Sequence, residues 1–438
     1  MSKVKMMSAK DKKKGSLVPR LRFPEFRDEG EWKEAKLNNI CEVLPGYGFP
    51  EALQGKQSGQ YPFCKVSDIS KAISDDGGLL RTSVNYIDDA DLSLLRAKVI
   101  PAGSTVFAKI GEALRLNRRV ISAVECLIDN NAVGIKAKDT KSTDYFIYIL
   151  SQRIDLNEYC GGAVPSVNKT TLENIDVLIP SIPEQQKIAD CLSSLDERIA
   201  AETNKLDALK AHKKGLLKQL FPAEGETLPQ LRFPEFQDAG EWNKTRLNNC
   251  VSIHAGLNVE QVNYPTDYKV TRIETISTQK IDNYKVGYIH PFQGMTAYKL
   301  NVGDILFSNI NSIEHIGKSV FIDKDYGIYH GMNLLRLVAT SQPRIAKFLF
   351  YYINTSSVRE SFRRRANKAV NQASINQTEL GKTVIYIPIY KKEQQRIADC
   401  LSSLDELIAA QTQKINLLKD HKKGLMQQLF PVLNEAQV

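Results

Sequence analysis

The chain has 438 residues, 42% of them hydrophobic and 25% charged, with a formal net charge of +9, and that length has room for two or three domains. It holds no apolar run near the length of a membrane span, and its opening MSKVKMMSAKDKKKGS lacks the apolar core of a secretory signal, so a cytoplasmic protein with no membrane partner is expected. Seven scattered cysteines (Cys41, Cys64, Cys126, Cys160, Cys191, Cys250, Cys400) without a C-x-x-C pair argue against both a disulfide framework and a zinc site.

Residues 1–20 form a basic tail of disordered composition. Lys3, Lys5, Lys10, Lys12, Lys13, Lys14 and Arg20 against Asp11 account for +6 of the +9. The remaining chain is close to balanced, so any polyanion must be bound by local patches and not by the global charge.

Next comes LRFPEFRDEGEWKEAKLNN from Leu21 to Asn39, which returns as LRFPEFQDAGEWNKTRLNN from Leu231 to Asn249. Its aromatics (Phe23, Phe26, Trp32; Phe233, Phe236, Trp242) are read as core anchors. A variable stretch follows each copy. In the first, YPFCKVSDI, STVFAKI, RRVISAV and NIDVLIP predict strands, and STDYFIYILSQRIDLNEY predicts a helix. In the second, YKVTRIETI, DILFSNI, KSVFID and KTVIYIP predict strands, and PRIAKFLFYYINTSSVRESFRRRAN a helix. Both stretches close alike, with Ser-x-Asn at Ser166 and Ser374 and a terminal Ile-Pro at Pro180 and Pro388. They are therefore expected to be two diverged copies of one α/β domain.

Each unit ends in a long helix, from Glu184 to Pro222 and from Glu393 to Pro431, and the two helices are nearly identical in sequence. Apolar residues recur at alternating steps of four and three: Ile188, Leu192, Leu195, Ile199, Leu206, Leu209, Leu216 and Leu220 in the first, and Ile397, Leu401, Leu404, Ile408, Ile415, Leu418, Leu425 and Leu429 in the second. Glu202 and Lys213, and then Gln411 and Lys422, fill the polar places. Such spacing makes one narrow apolar seam, the signature of a coiled coil, along a helix of about 55 Å at roughly 1.5 Å per residue. The seam needs a partner, and the other copy supplies it. The predicted organisation is a tail (1–20), a first domain with its lead-in (21–182), a central helix (183–222), a second domain with its lead-in (223–391) and a C-terminal helix (392–431).

Catalytic signatures are missing. No glycine-rich dinucleotide loop follows a strand, and Gly317-Lys318-Ser319 has Ser312 where a phosphate loop needs glycine. The histidines form no metal-ligand spacing, and no Asn/Asp-Pro-Pro-aromatic tetrapeptide of an amino-methyltransferase occurs. Base-reading chemistry fares better. Duplex recognition needs Arg or Lys on phosphates and Arg, Asn or Gln on base edges. The first domain offers Lys109, Arg115, Asn117, Arg118 and Arg119 between two strands, bracketed by Gly103 and Gly111. The second offers Asn309, Asn311 and Lys318 in the comparable place, and a run of Arg359, Arg363, Arg364, Arg365, Asn367, Lys368, Asn371 and Gln372. The plainer reading of such a run is a solvated helix end favoured by the dipole; its recurrence in both domains favours binding.

The duplicated IP-x-x-EQQ-K/R-IA-x-x-L-x-x-L-D openings, the LRFPEF-EW blocks, the HKKGL-QLFP endings and the two unlike inserts resemble the specificity subunit of bacterial type I restriction-modification enzymes. The second copy departs from the first at Tyr390-Lys391-Lys392, where Ser181-Ile182-Pro183 precedes EQQ. The resemblance implies an α+β architecture: two α/β target-recognition domains joined by two long antiparallel coiled-coil helices, a tandem pseudo-two-fold duplication. It implies a non-catalytic reader of double-stranded DNA, each domain reading one half of a bipartite, non-palindromic site, with the helix pair setting the spacing. It also implies docking of two modification subunits and, in the full complex, of restriction subunits. No cofactor is expected in this chain; S-adenosylmethionine, ATP and Mg belong to the partner subunits. The rival classes are a coiled-coil adaptor that recruits proteins without reading DNA, and a free-standing nuclease or methyltransferase.

Overall fold

The computed structural model describes residues 17–340, 343–369 and 372–431. The basic tail up to residue 16 and Asn371 lie outside these. The chain divides into two units, one built from residues up to Thr203 together with those from Lys414 onward, the other from Asn204–Gln413. Each unit thus takes part of both long helices, Ile182–Gln219 and Lys391–Gln428.

In the first unit a five-stranded sheet has the order Cys41–Pro45, Ala132–Ala137, Thr105–Ala108, Val120–Ser122, Leu79–Leu80. A three-stranded sheet sets Tyr61–Cys64 between Tyr86–Ile87 and Leu127–Ile128. The lead-in strand Lys33–Lys36 pairs antiparallel with Asp176–Ile179. The second unit repeats the plan. Val251–Ala255, Leu335–Ala339, Ile305–Phe307 and Ser319–Phe321 form one sheet, Val286–Tyr288, Lys269–Thr271 and Ile328–Tyr329 another, and Asn243–Arg246 pairs with Val384–Ile387. The first sheet shares four strands in the same order, with Leu79–Leu80 added in the first unit, and the three-stranded sheets match; this common topology on unlike sequences makes the two domains diverged copies of one fold.

The shared sequence blocks build the joint between domain and helix. Arg22 of LRFPEF donates from Nε and Nη2 to Glu184 of EQQ at 2.9 and 2.8 Å. Its counterpart Arg232 meets Glu393 at 2.7 and 2.8 Å. The following basic residue of the helix, Lys187 or Arg396, pairs with the glutamate of the same lead-in, Glu25 at 3.0 Å or Glu235 at 3.5 Å. Trp32 packs on Phe430 and Trp242 on Phe221, with ring centroids 5.5 and 6.4 Å apart. The Phe of one copy's QLFP therefore fills the core that the other copy's tryptophan anchors, and burying such a ring stabilises by about 1.5–3 kcal/mol.

The seam follows the predicted spacing. Ile188, Leu192, Leu206, Leu220, Ile397, Leu401, Leu404, Ile415 and Leu429 are buried, and Leu195, Ile199, Leu209, Leu216, Ile408, Leu418 and Leu425 are half-buried. Within the first unit the start of the first long helix meets the end of the second, as Asp196 with Lys422 at 2.6 Å. Within the second unit the roles exchange, with Lys213 2.5 Å from Asp405. The helices are antiparallel.

Three local expectations are corrected. The predicted strand YPFCKVSDI stops at Cys64, and Val66 starts a helix to Asp75 whose third position, Asp68, accepts from the N–H of Lys65. The helix expected as one piece from residue 343 is two, Pro343–Ile353 and Ser356–Arg365. Asn354 and Thr355 break it by turning their side chains onto the carbonyls of Phe350 and Tyr352, the competition that polar short side chains offer the helix ladder. The helix expected through Tyr159 ends at Gln152, and Leu156–Tyr159 is a separate turn of 3-10 helix.

Candidate nucleic-acid interface

In both units the strand central to the domain runs into the candidate loop. In the first unit Thr105–Ala108 hands over to Lys109, whose N–H donates to the carbonyl of Asn131 at 2.8 Å and whose carbonyl accepts from Val167 at 2.9 Å. In the second, the carbonyl of Asn309 accepts from Ile375 at 2.9 Å. Immediately beyond, Asn168 and Asn376 accept from the N–H groups of Thr171 and Glu379, both at 2.8 Å. That is N-capping, and it accounts for the shared Ser-x-Asn.

The first loop turns at Gly111, with φ 77, and again at Asn117, with φ 49. Lys109 is half-buried, and Arg115 and Arg118 are exposed. Arg115 is partnered within its short helix by Glu112 at 3.3 Å. Asn117 and Arg119 are a different matter. Asn117 donates to the carbonyl of Ile154 at 3.0 Å and accepts from Arg119 and from the N–H of Leu156. Arg119 is 5% exposed and its guanidinium lies 4.3 Å over the ring of Phe107. Burial pushes its pKa down to about 10. These two side chains hold the loop to the domain instead of facing outward, a correction to their expected role. Of the expected set, Lys109, half-buried, and the exposed Arg115 and Arg118 are left, beside an exposed Glu112. Leu116 and Val164, 56% and 60% exposed, were not singled out from sequence. The N–H of Gly111 donates to Pro165, which ties the 161–166 stretch to this loop, and the Gly161-Gly162 pair was the available signal.

In the second unit, two clusters far apart in sequence converge. Strand Gln372–Ser374 lies between Ile310–Asn311 and Asn367–Ala369, with Ile310 opposite Ser374 and Asn311 opposite Ala373. Asn309, Asn311 and Lys318 are half-buried, and Asn367 and Gln372 are exposed. The side chain of Lys368, like Asn371, is outside the described residues. Asn309 keeps a buried Oδ1 without a partner, whereas the Asn311 carboxamide accepts from the N–H of Ser312 at 2.8 Å. The basic helix Ser356–Arg365 ends at this sheet. Arg363 pairs with Glu360 at 3.2 Å, Arg364 with Glu224 at 2.5 Å, and Arg365 is half-buried. Arg359 and Arg363 each hold a buried Nε without an acceptor. Burial and the charge of Arg363 push the pKa of Arg359 down.

All seven cysteines are unpaired. Among the described residues no group of three or more His, Cys, Asp and Glu could hold a metal ion, and no helix is long and apolar enough to cross a membrane.

A pair of like domains with unlike polar loops, each mounted on a shared pair of antiparallel helices, defines a tandem recognition protein. The sequence matches the type I restriction modification DNA specificity domain twice, over residues 29–211 and 240–420, and the chain belongs to that family. A putative type I restriction enzyme MjaX specificity subunit of Methanocaldococcus jannaschii is 40% identical over 194 residues, 43% of this chain and 45% of that protein, less than half the length of each. The MjaVIII specificity subunit of the same archaeon is 22% identical over 94% of this chain and 93% of its own. In fold, the chain resembles the type I restriction-modification S subunit from M. genitalium, with a TM-score of 0.59, 12% identity and coverage of 95% of this chain and all of that one.

Proposed function

We propose that this chain is the DNA-reading specificity subunit of a type I restriction-modification complex. The domains at 21–182 and 223–391 each read one half of a bipartite, non-palindromic site. The paired helices at 183–222 and 392–431 set the spacing and dock two modification subunits. Methyl transfer with S-adenosylmethionine belongs to those partners, ATP- and Mg-dependent work belongs to restriction subunits, and this chain is the non-catalytic reader in the cytoplasm. Double-stranded DNA is met by Lys109, Arg115 and Arg118 in one domain. In the other it is met by Asn309, Asn311, Lys318, Arg363, Arg364, Arg365, Asn367, Lys368, Asn371 and Gln372. The observation that carries this reading is the contrast within one duplicated fold: the contacts that join domain to helix recur pair by pair, while the polar loops do not.

The test is selection of duplexes from a random library by the full chain with its modification subunits. Two unlike half-sites at one spacing are expected. Inserting four residues between Leu206 and Leu209 should change or abolish that spacing. Recovery of no sequence preference would favour a protein-recruiting adaptor and sink this reading.

A further inference from the structure

The seam of the long helices holds a charged layer in each unit that a tyrosine from the globular domain enters. In the first unit Tyr145, in the first turn of Asp144–Gln152, donates its phenol hydrogen to Asp196 of the first long helix. Lys422 of the second long helix places Nζ 2.6 Å from both oxygens of the same carboxylate. In the second unit Tyr351, in the last turn of Pro343–Ile353, donates to Asp405 at 2.7 Å. There Lys213 lies 2.5 Å from that carboxylate and 5.3 Å over the phenol ring. The aspartates and lysines are repeats of one another. The tyrosines are not, since they stand at opposite ends of their helices. The same kind of contact is thus made in both units by tyrosines at non-equivalent positions.

A charged layer in an apolar seam stabilises little, because desolvation offsets much of the attraction, and its best attested use is to specify one arrangement. The apolar packing of domain on helix has no direction, and the triads add a second directional contact to the Arg22–Glu184 and Arg232–Glu393 pairs, since a hydrogen bond to a carboxylate weakens steeply with misalignment. We propose that the two Tyr–Asp–Lys triads are latches that fix the pose of each recognition domain on the helix segments of its own unit, and thereby limit the spacer lengths tolerated between half-sites. Tyr145 and Tyr351 are positioning residues. The spacer consequence rests on the bipartite reading above; the latch itself does not.

Two measurements on the full chain test it. Spin labels carried by non-natural amino acids at exposed Glu158 and Glu197, both in the first unit, should give a narrow distance distribution in the wild type and a broadened one in Tyr145→Phe. Tyr→Phe keeps the ring and removes only the phenol oxygen, so the fold is expected to stand; Asp196→Asn, which drops the ion pair but keeps an acceptor, should broaden it less. With modification subunits and a duplex library of fixed half-sites and varied spacers, Y145F/Y351F should keep the wild-type bases. Its preference for the best spacer over its neighbours should fall at least tenfold, a factor of about ten being what one of the two lost charge-assisted hydrogen bonds supplies. An unchanged distribution in Y145F overturns the latch. Unchanged spacer preference beside a broadened distribution overturns its role in spacing. A wild type that selects no half-sites overturns the bipartite reading instead, and the label distances still decide the latch.

Discussion

Replacing Arg22 by Met tests whether the shared blocks hold domain to helix through an ion pair. The Arg22 and Glu184 side chains are 6% and 1% exposed and meet through two parallel bonds. Arg22→Met leaves a carboxylate that water cannot reach, at an expected cost of about 3–5 kcal/mol. Replacing both, as Arg22→Met with Glu184→Leu, removes the stranded charge and should recover about 2 kcal/mol. The recovery is partial because Arg22 also donates to the carbonyls of Glu29 and Gly30, and unpaired carbonyls carry their own penalty. The chain has only two tryptophans, Trp32 in one unit and Trp242 in the other, both buried. In a Trp242→Phe background, urea unfolding followed by Trp32 fluorescence reports the first unit alone, which matters because a chain of two units need not unfold in one step. The reasoning is refuted if R22M costs less than about 1 kcal/mol, a value typical of exposed pairs, or if the double variant is no more stable than the single one.

Arg118 and Arg119 should separate binding from folding. Arg118→Ala is expected to weaken the first half-site several-fold in a duplex-binding assay with little change in Tm. Arg119→Ala should destabilise the first unit by about 2–4 kcal/mol through lost packing on Phe107 and stranded acceptors, seen by Trp32-reported unfolding. His330 should make the second unit acid-sensitive. Burial pushes its pKa down to about 4 from the ordinary 6.5, so the unfolded chain takes up the proton first. Its stabilising contribution is complete above pH 6.5 and is lost as pH falls toward 4, by about 3 kcal/mol in all. Trp242-reported unfolding at pH 7 and 4.5 should show the loss, and His330→Gln should flatten that window.

The frame was legible in the sequence because it is written twice. A repeated Arg and a repeated Glu, far apart along the chain, become one contact, and the Asn of Ser-x-Asn becomes a helix cap. The 4-3 spacing of the long helices is visible because its apolar positions are buried or half-buried along the whole length, against the partner helix or the domain core. The interior strands Ala132–Ala137 and Leu335–Ala339 carry no clear strand signal in the sequence, because each is buried over most of its length and lacks a sustained apolar–polar alternation. Arg119 was misplaced for another reason. Spacing along a chain does not say which way a side chain leaves a turn, and the left-handed residue at Asn117 sends Arg119 inward over Phe107.

The contacts that maintain the fold use a different set of residues from those proposed to read DNA. Arg22 and Arg232, Glu184 and Glu393, the tryptophan–phenylalanine pairs and the Tyr–Asp–Lys triads lie where domain meets helix. Lys109, Arg115, Arg118, Asn367 and Gln372 make none of those contacts. Loop substitutions of exposed side chains typically move stability by less than about 0.5 kcal/mol, so the two faces could diverge in charge and shape with the frame unchanged. Arg119 and Asn117 mark the limit of that freedom: they occupy the candidate loop yet serve the core, so a change there alters reading only by first disturbing the fold. Differences in sequence preference should therefore track the outward residues of each loop, and differences in stability the inward ones.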